Sequence, residues 1–148
     1  MWVRKRLDIT WADLGFATIA SLFTRDTKSV EDRVERYWSP RGDAVACLSV
    51  RSGFDLLLEA LQLPDGSEIL ISAITIPDIV RILEDHRLVP VPVDLEMDDL
   101  SLSEEGLRQA CGPRTQAIVA AHLFGGRMAM EPIIEFARRN DLLVIEDC

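Results

Sequence analysis

Cysteine is scarce in this chain and occurs in no metal-binding pattern. The 148 residues include only Cys47, Cys111 and Cys148, which are odd in number and form no CxxC pair. This spacing argues against a disulfide framework and against the common zinc sites. We therefore expect no bound metal and a reducing cellular compartment, the cytoplasm.

Long apolar runs are also missing. No hydrophobic stretch approaches the roughly 20 residues that span a bilayer. After the basic cluster at residues 4–6, Asp8 and Asp13 interrupt any apolar core that could serve as a secretory signal. The sequence therefore predicts a soluble protein with no membrane partner.

Positive charge is in the minority. Lys and Arg number 16 against 25 Asp and Glu, which gives a formal net charge of -9. A chain of this charge repels phosphate backbones, so nucleic acid is excluded as an expected partner. Since 48% of the residues are hydrophobic and 28% are charged, the composition is that of a globular domain rather than a disordered chain.

Residues 1–42 form a predicted helical lead-in segment. Thr10 with Asp13, and Ser29 with Asp32, resemble capping boxes that open two short helices. In the second helix an apolar stripe recurs at helical spacing and predicts packing against something larger. Residues 39–42, Ser-Pro-Arg-Gly, are expected to end that helix.

From residue 43 to 148 the pattern changes to short β-rich runs that alternate with helical ones. This order predicts an α/β fold, a mostly parallel sheet with helices on both faces. The predicted strands are Ala44 to Val50, Glu68 to Ser72, Val89 to Val93, Gln116 to Ala121 and Leu142 to Glu146. The predicted helices are Gly53 to Leu61, Pro77 to His86, Glu104 to Ala110 and Ala129 to Arg139.

Ligands of such sheets gather at the carboxyl ends of the strands, so the residues that follow each strand are the candidates for chemistry. Ser52 is expected to cap a helix that begins at Gly53, and the first amides of that helix could hold a phosphate. Asp147 follows a buried strand, where a carboxylate can bind a protonated heterocyclic nitrogen. His122 follows another strand and is more often a hydrogen-bonded structural residue there than a base. Neither GxGxxG nor a P-loop lysine is present.

The order of these signals resembles the large domain of the DegT/DnrJ/EryC1/StrS family, the sugar aminotransferases of fold type I that depend on pyridoxal 5'-phosphate (PLP). Five ordered stretches between Ser52 and Cys148 carry the resemblance. They read SG before a leucine-rich helix, SEILISAITIP, VPVPVDLEMDDLSLSEEGLRQA, PRTQAIVAAHLFGG and LLVIEDC. The fold it implies is the first part of an aspartate aminotransferase-like large domain, covering residues 43–148.

The resemblance implies a cofactor and roles for four residues. Gly53 and Phe54 fall where backbone amides hold the PLP phosphate, and Asp147 falls on the acid that pairs with the pyridine nitrogen. Ile76 falls where an aromatic residue usually stacks on the ring. The implied reactants are a nucleotide sugar and an amino donor, in amino-sugar or polysaccharide biosynthesis.

The chain departs from the family at several of these positions. The usual threonine is Phe54, which has no hydroxyl, and the next residue is Asp55, whose carboxylate satisfies helix amides and repels a phosphate. The covalent lysine of the family has no counterpart, because the only lysines are Lys5 and Lys28. No catalytic residue is therefore assigned, and the chain by itself is expected to be inactive.

Three interpretations remain open. The first is the amino-terminal part of a PLP-dependent nucleotide-sugar aminotransferase; the second is a noncatalytic binding or assembly module with that fold. The third is a doubly wound domain unrelated to PLP. In fold type I, two later strands separate the strand at Ala44 to Val50 from the strand before Asp147, so we expect the incomplete sheet to rearrange, form a homo-oligomer or bind a partner chain.

Overall fold

The computed structural model describes residues 9–23 and 27–148. Within it the chain divides into two compact units, Met1–Ala46 and Cys47–Cys148. The first unit contains helices α1 (Trp11–Phe23) and α2 (Thr27–Trp38). Among the described helices, none is long and apolar enough to cross a bilayer.

The starts of the two helices in the first unit differ in how well the sequence predicts them. The predicted capping box at α1 is confirmed, because the Thr10 N–H donates to Asp13 Oδ2 at 2.8 Å and the Asp13 N–H donates to Thr10 Oγ1 at 3.3 Å. The predicted cap Ser29 is wrong, since α2 begins at Thr27 and includes Ser29 in its first turn. The apolar stripe of α2 lines an open cleft shared with α1, and neither helix has a buried residue.

The second unit is a four-stranded, wholly parallel sheet with helices on both faces, as predicted. The strand order is β2-β1-β3-β4, and each neighbouring pair is parallel. In chain order the elements are α3 (Val50–Leu61), β1 (Glu68–Ser72), α4 (Pro77–Asp85), β2 (Val89–Val93), α5 (Glu104–Ala110), β3 (Thr115–Ala121), α6 (Glu131–Asn140) and β4 (Leu143–Asp147).

The core lies in two layers, one on each face of the sheet. On one face, α3 and α4 cover inward-facing residues of β1 and β3; on the other, α5 and α6 cover the residues that alternate with them. The first layer includes Phe54, Leu58, Ile69, Ile71, Ile79, Leu83, Ala117 and Val119. The second includes Leu70, Val93, Leu107, Ile118, Ala120, Met128, Ile133 and Phe136.

The predicted strand Ala44 to Val50 is wrong. Residues 44–49 form no strand, and α3 begins at Val50. An isolated extended segment has no neighbouring strand to satisfy its backbone groups, whereas the Ser49 side chain caps a helix locally. Leu48, which the prediction placed in a buried strand, is fully exposed at 102%.

Candidate functional site at the carboxyl edge of the sheet

The carboxyl ends of the four parallel strands meet at one edge of the sheet. The segments after β1, β3 and β4 therefore share this edge, since the register pairs Ile71 with Val119 and Ala121 with Asp147. Ile76 and His122 lie in the segments after β1 and β3, and Asp147 is the residue at which β4 ends; all three were singled out from the sequence.

Asp147 is the last residue of β4 and is partly buried. Its carbonyl accepts a hydrogen bond of 2.9 Å from the His122 N–H. Ile145, two residues earlier, packs into the core layer under α3 and α4. Because side chains alternate along a strand, Asp147 lies on that same face.

Gly53 and Phe54 lie in α3, which covers this face, but their local structure differs from the expectation. The predicted cap Ser52 is wrong: the N-cap is Ser49, whose Oγ accepts from the Ser52 N–H at 3.1 Å. The Gly53 N–H donates to the Ser49 carbonyl at 3.0 Å. Phe54 is 7% exposed and belongs to the core.

Asp55 also differs from the expectation that it satisfies the first amides of the helix. Its Oδ1 lies 2.7 Å from Nε2 of His86, at the end of α4. This hydrogen bond joins the outer surfaces of α3 and α4. Asp55 is therefore turned toward the neighbouring helix rather than back to the helix start.

Ile76 is the N-cap residue of α4, followed by Pro77 in the first turn. Its side chain is 50% exposed at the edge where β1 ends. No side-chain hydrogen bond caps α4. An exposed aliphatic side chain at this edge can contact a flat ring by dispersion but offers no π face.

His122 has a partner that the sequence reasoning did not identify. Its Nε2 lies 2.7 Å from Oε1 of Glu146, and its Nδ1 accepts from the Met128 N–H at 3.2 Å. The side chain is only 7% exposed, against 46% for Glu146. The available signal was positional, because both residues stand at the ends of what were predicted as parallel strands.

The residues at this edge fit one end of PLP and not the other. A partly buried carboxylate at a strand end, Asp147, suits a protonated ring nitrogen. The phosphate end does not fit, because the amides of Ser52 and Gly53 already have acceptors at Ser49 and the Phe54 side chain fills the core.

Within residues 9–23 and 27–148, no cluster of three His, Cys, Asp or Glu side chains could hold a metal ion.

Comparison with known proteins gives consistent sequence matches. The chain is 47% identical over 58 residues to the GDP-perosamine synthase of Caulobacter vibrioides, which covers 39% of this chain and 16% of that protein. It is 32% identical over 104 residues to an uncharacterized protein of Methanocaldococcus jannaschii, which covers 70% of this chain and 27% of that protein. The chain thus spans well under a third of these relatives.

Solved structures share the fold. An aminotransferase from Psychrobacter cryohalolentis superposes with a TM-score of 0.83 at 21% identity, covering 98% of this chain and 38% of that one. A GDP-4-keto-6-deoxymannose-3-dehydratase, solved with a trapped PLP-glutamate geminal diamine, gives 0.77 at 24% identity, covering 94% and 39%. The two solved neighbours named here are thus an aminotransferase and a PLP-bound dehydratase of a GDP-linked sugar.

The model of the DegT/DnrJ/EryC1/StrS aminotransferase family matches residues 20–148. With the parallel sheet and the strand-end acid in the places described, the chain belongs to this family.

Proposed function

We propose that this chain supplies the pyridine-facing part of a PLP site for transamination of a nucleotide sugar and does not transaminate alone. The observation that carries the proposal is the placement of Asp147. It ends a parallel strand on the face that α3 covers, in a chain whose family match includes it.

In this proposal Asp147 would hold a proton on the pyridine nitrogen. PLP, when bound, would supply an electron sink for the carbon next to the amino group. Ile76, half exposed at the same edge, would contact the ring. Gly53 and Phe54 can bind the phosphate only if α3 unwinds from Val50 to Ser52, because the amide of Gly53 otherwise donates within the helix.

The reactive amine has to come from elsewhere, because Lys5 and Lys28 both lie in the lead-in segment, residues 1–42. A lysine is needed to bind the cofactor covalently and to move the proton. Residues 43–148 are proposed as the partial PLP-binding domain. A nucleotide sugar and an amino donor are proposed as reactants of the completed enzyme.

The edges of the sheet support assembly with a second copy or another chain. At β2 the Val89 N–H donates to Ser67 of the β1 side, so by alternation Pro90 and Pro92 face outward, where they lack the N–H that another strand would need. At β4, the backbone N–H and C=O groups of Val144 and Glu146 point away from β3, because the Asp147 carbonyl points toward it. No proline occurs in this strand. Since β4 pairs only with β3 among the described strands, its outer edge can accept a strand.

A noncatalytic module of the same fold is the alternative. The observation that favours it is that the amides expected to bind the phosphate are already occupied. Those of Ser52 and Gly53 donate hydrogen bonds to Ser49, and Phe54 is buried. A module of this kind would retain the sheet and its open β4 edge without binding PLP.

Equilibrium dialysis of the purified chain against PLP and against pyridoxal, which lacks the phosphate, tests the proposal. We expect weak binding, a PLP affinity within about threefold of the pyridoxal affinity, and a loss of about tenfold in Asp147→Asn. That loss corresponds to about 1.4 kcal/mol, close to the lower end of the range for a hydrogen bond to a charged group. Asp141→Asn, at the C-cap of α6 just before β4 begins, is the matched control. Absence of binding by both compounds at millimolar concentration would favour the noncatalytic module.

A further inference from the structure

His122 takes part in three hydrogen bonds, and its ring lies on the face of the sheet opposite to the Asp147 side chain. Its backbone N–H donates to the Asp147 carbonyl at 2.9 Å. Its ring lies 2.7 Å from Glu146 Oε1 and accepts at 3.2 Å from the Met128 N–H. One nearly buried residue thus joins the end of β3, the end of β4 and the segment at residues 123–128.

These contacts define which ring nitrogen carries the proton. The Met128 N–H is a donor, so Nδ1 has to be an unprotonated acceptor. Nε2 then carries the hydrogen and donates it to the Glu146 carboxylate. In this state all the polar atoms of the His122 ring have partners, which agrees with its 7% exposure.

The segment that His122 holds has an uncommon backbone. Phe124 has φ 54 and ψ 22, a left-handed conformation that bulky side chains rarely adopt, and Gly125 follows with φ 76. Such conformations persist where the surrounding contacts fix them. The contacts that close this segment include one from the Gly126 N–H to the Leu123 carbonyl at 2.9 Å and one from the Met128 N–H to His122 Nδ1 at 3.2 Å.

We propose that His122 is a positioning residue that fixes the end of β4 and so directs the Asp147 carboxylate. Glu146 is held by its side chain on the α5 and α6 face. Asp147 is held by its carbonyl and points to the opposite face, because neighbouring residues alternate. With the backbone of both residues fixed, the direction of the Asp147 Cα–Cβ bond is fixed too, and the fixed backbone angles restrict the χ1 rotamers that its side chain can adopt. The assignment of a cofactor to Asp147 rests on the proposed function; the positioning does not.

Two substitutions of His122 separate its side-chain contacts. His122→Gln places an amide N–H near the location of Nε2 and keeps donation to Glu146. His122→Asn places an amide oxygen near the location of Nδ1 and keeps acceptance from Met128. Glu146→Ala removes the same hydrogen bond as His122→Asn, the one between His122 and Glu146, but it substitutes a residue that is 46% exposed. The buried His122 ring stays in place, so this variant tests the idea in a folded protein.

Solution NMR of the chain without PLP gives the readouts. The ¹⁵N shifts of the His122 ring report the tautomer, and three-bond couplings to the Asp147 Cγ report its χ1 populations. We expect a protonated Nε2 and one dominant Asp147 rotamer in the wild type and in His122→Gln. We expect averaged rotamers in both His122→Asn and Glu146→Ala. The Met128 amide should exchange about fivefold faster in His122→Gln only, the effect of losing one hydrogen bond of about 1 kcal/mol.

A proton on Nδ1, or a single Asp147 rotamer retained in both His122→Asn and Glu146→Ala, would overturn the proposal. Averaged rotamers in His122→Gln would also contradict it, because that variant keeps donation to Glu146. PLP dialysis remains a separate measurement. If the Asp147 rotamer responds as expected while PLP does not bind, the proposed function fails and the positioning role stands.

Discussion

Replacing Ser49 by alanine tests where α3 begins, which decides whether its amides are free for a phosphate. Ser49 has extended backbone angles, and its Oγ accepts from the Ser52 N–H at 3.1 Å. Ser52 Oγ lies 3.0 Å from Ser49 Oγ. The structure assigns the cap to Ser49.

The expected cost follows from this geometry. An N-cap serine replaced by alanine loses about 1 kcal/mol of stability. For a compact unit of the size of Cys47–Cys148, this lowers the melting temperature by about 4–8 °C. The midpoint of urea unfolding falls by about 0.5 M for a slope near 2 kcal/mol/M. Ser52→Ala, at an exposed position in the first turn, should change stability by less than about 0.5 kcal/mol.

Urea unfolding followed by far-UV circular dichroism measures both variants. Ser49→Asp should restore stability to within a few tenths of a kcal/mol, since aspartate caps as well as serine. A larger loss in Ser52→Ala than in Ser49→Ala would refute the assignment. It would also mean that α3 begins at Ser52 and leaves the amide of Gly53 free.

Two further predictions concern stability. Leu83→Ala should cost about 2–5 kcal/mol in urea unfolding, because the Leu83 side chain is fully buried between α4 and the sheet. The control Leu48→Ala, at a fully exposed position, should change stability by less than about 0.5 kcal/mol. Equal losses in the two variants would contradict the core assignment. Hydrogen bonds from the Ser101 side chain and backbone lower the pKa of Asp99 below its usual range. A lowered folded-state pKa contributes stability above the unfolded value and loses it as the pH falls through the folded one. Asp99→Asn should therefore reduce the difference in urea midpoint between pH 7 and pH 3, and an unchanged difference would argue against this bond.

The sheet was predictable because its strands have strong local signals. The bounds Glu68–Ser72 and Val89–Val93 agree with the prediction, and β3 and β4 differ from it by one residue. Each is a short apolar run bounded by turn residues, the pattern of a strand buried on both faces. The alternation with helical segments then predicts parallel pairing.

The start of α3 was not predictable from the same signals. Residues 44–50 have the composition of a strand, but composition does not show whether a neighbouring strand is present. Without one, the serine at 49 begins the helix three residues before the serine predicted to cap it. Tertiary context thus overrides local preference. The earlier helix start also gives the amide of Gly53, which the resemblance assigned to the phosphate, a hydrogen-bond acceptor within the helix.

The contacts of His122 could be predicted only in part. Its location at the end of β3 follows from the sequence, as does the location of Glu146 at the end of β4. The hydrogen bond between them depends on the β3–β4 register, which pairs Ala120 with Glu146, and a one-residue shift of either strand would separate the two side chains. The acceptor role toward Met128 depends on the left-handed backbone at Phe124, which no residue type in that segment requires.

The most direct test of the central claim, that the carboxyl edge holds one part of a PLP site, is to map PLP binding by ¹H–¹⁵N NMR. We predict saturable shift changes at the amides of Ile76, His122 and Asp147, weakened in Asp147→Asn. Shift changes confined to residues 9–23 and 27–46, or equal changes in wild type and Asp147→Asn, would contradict the account.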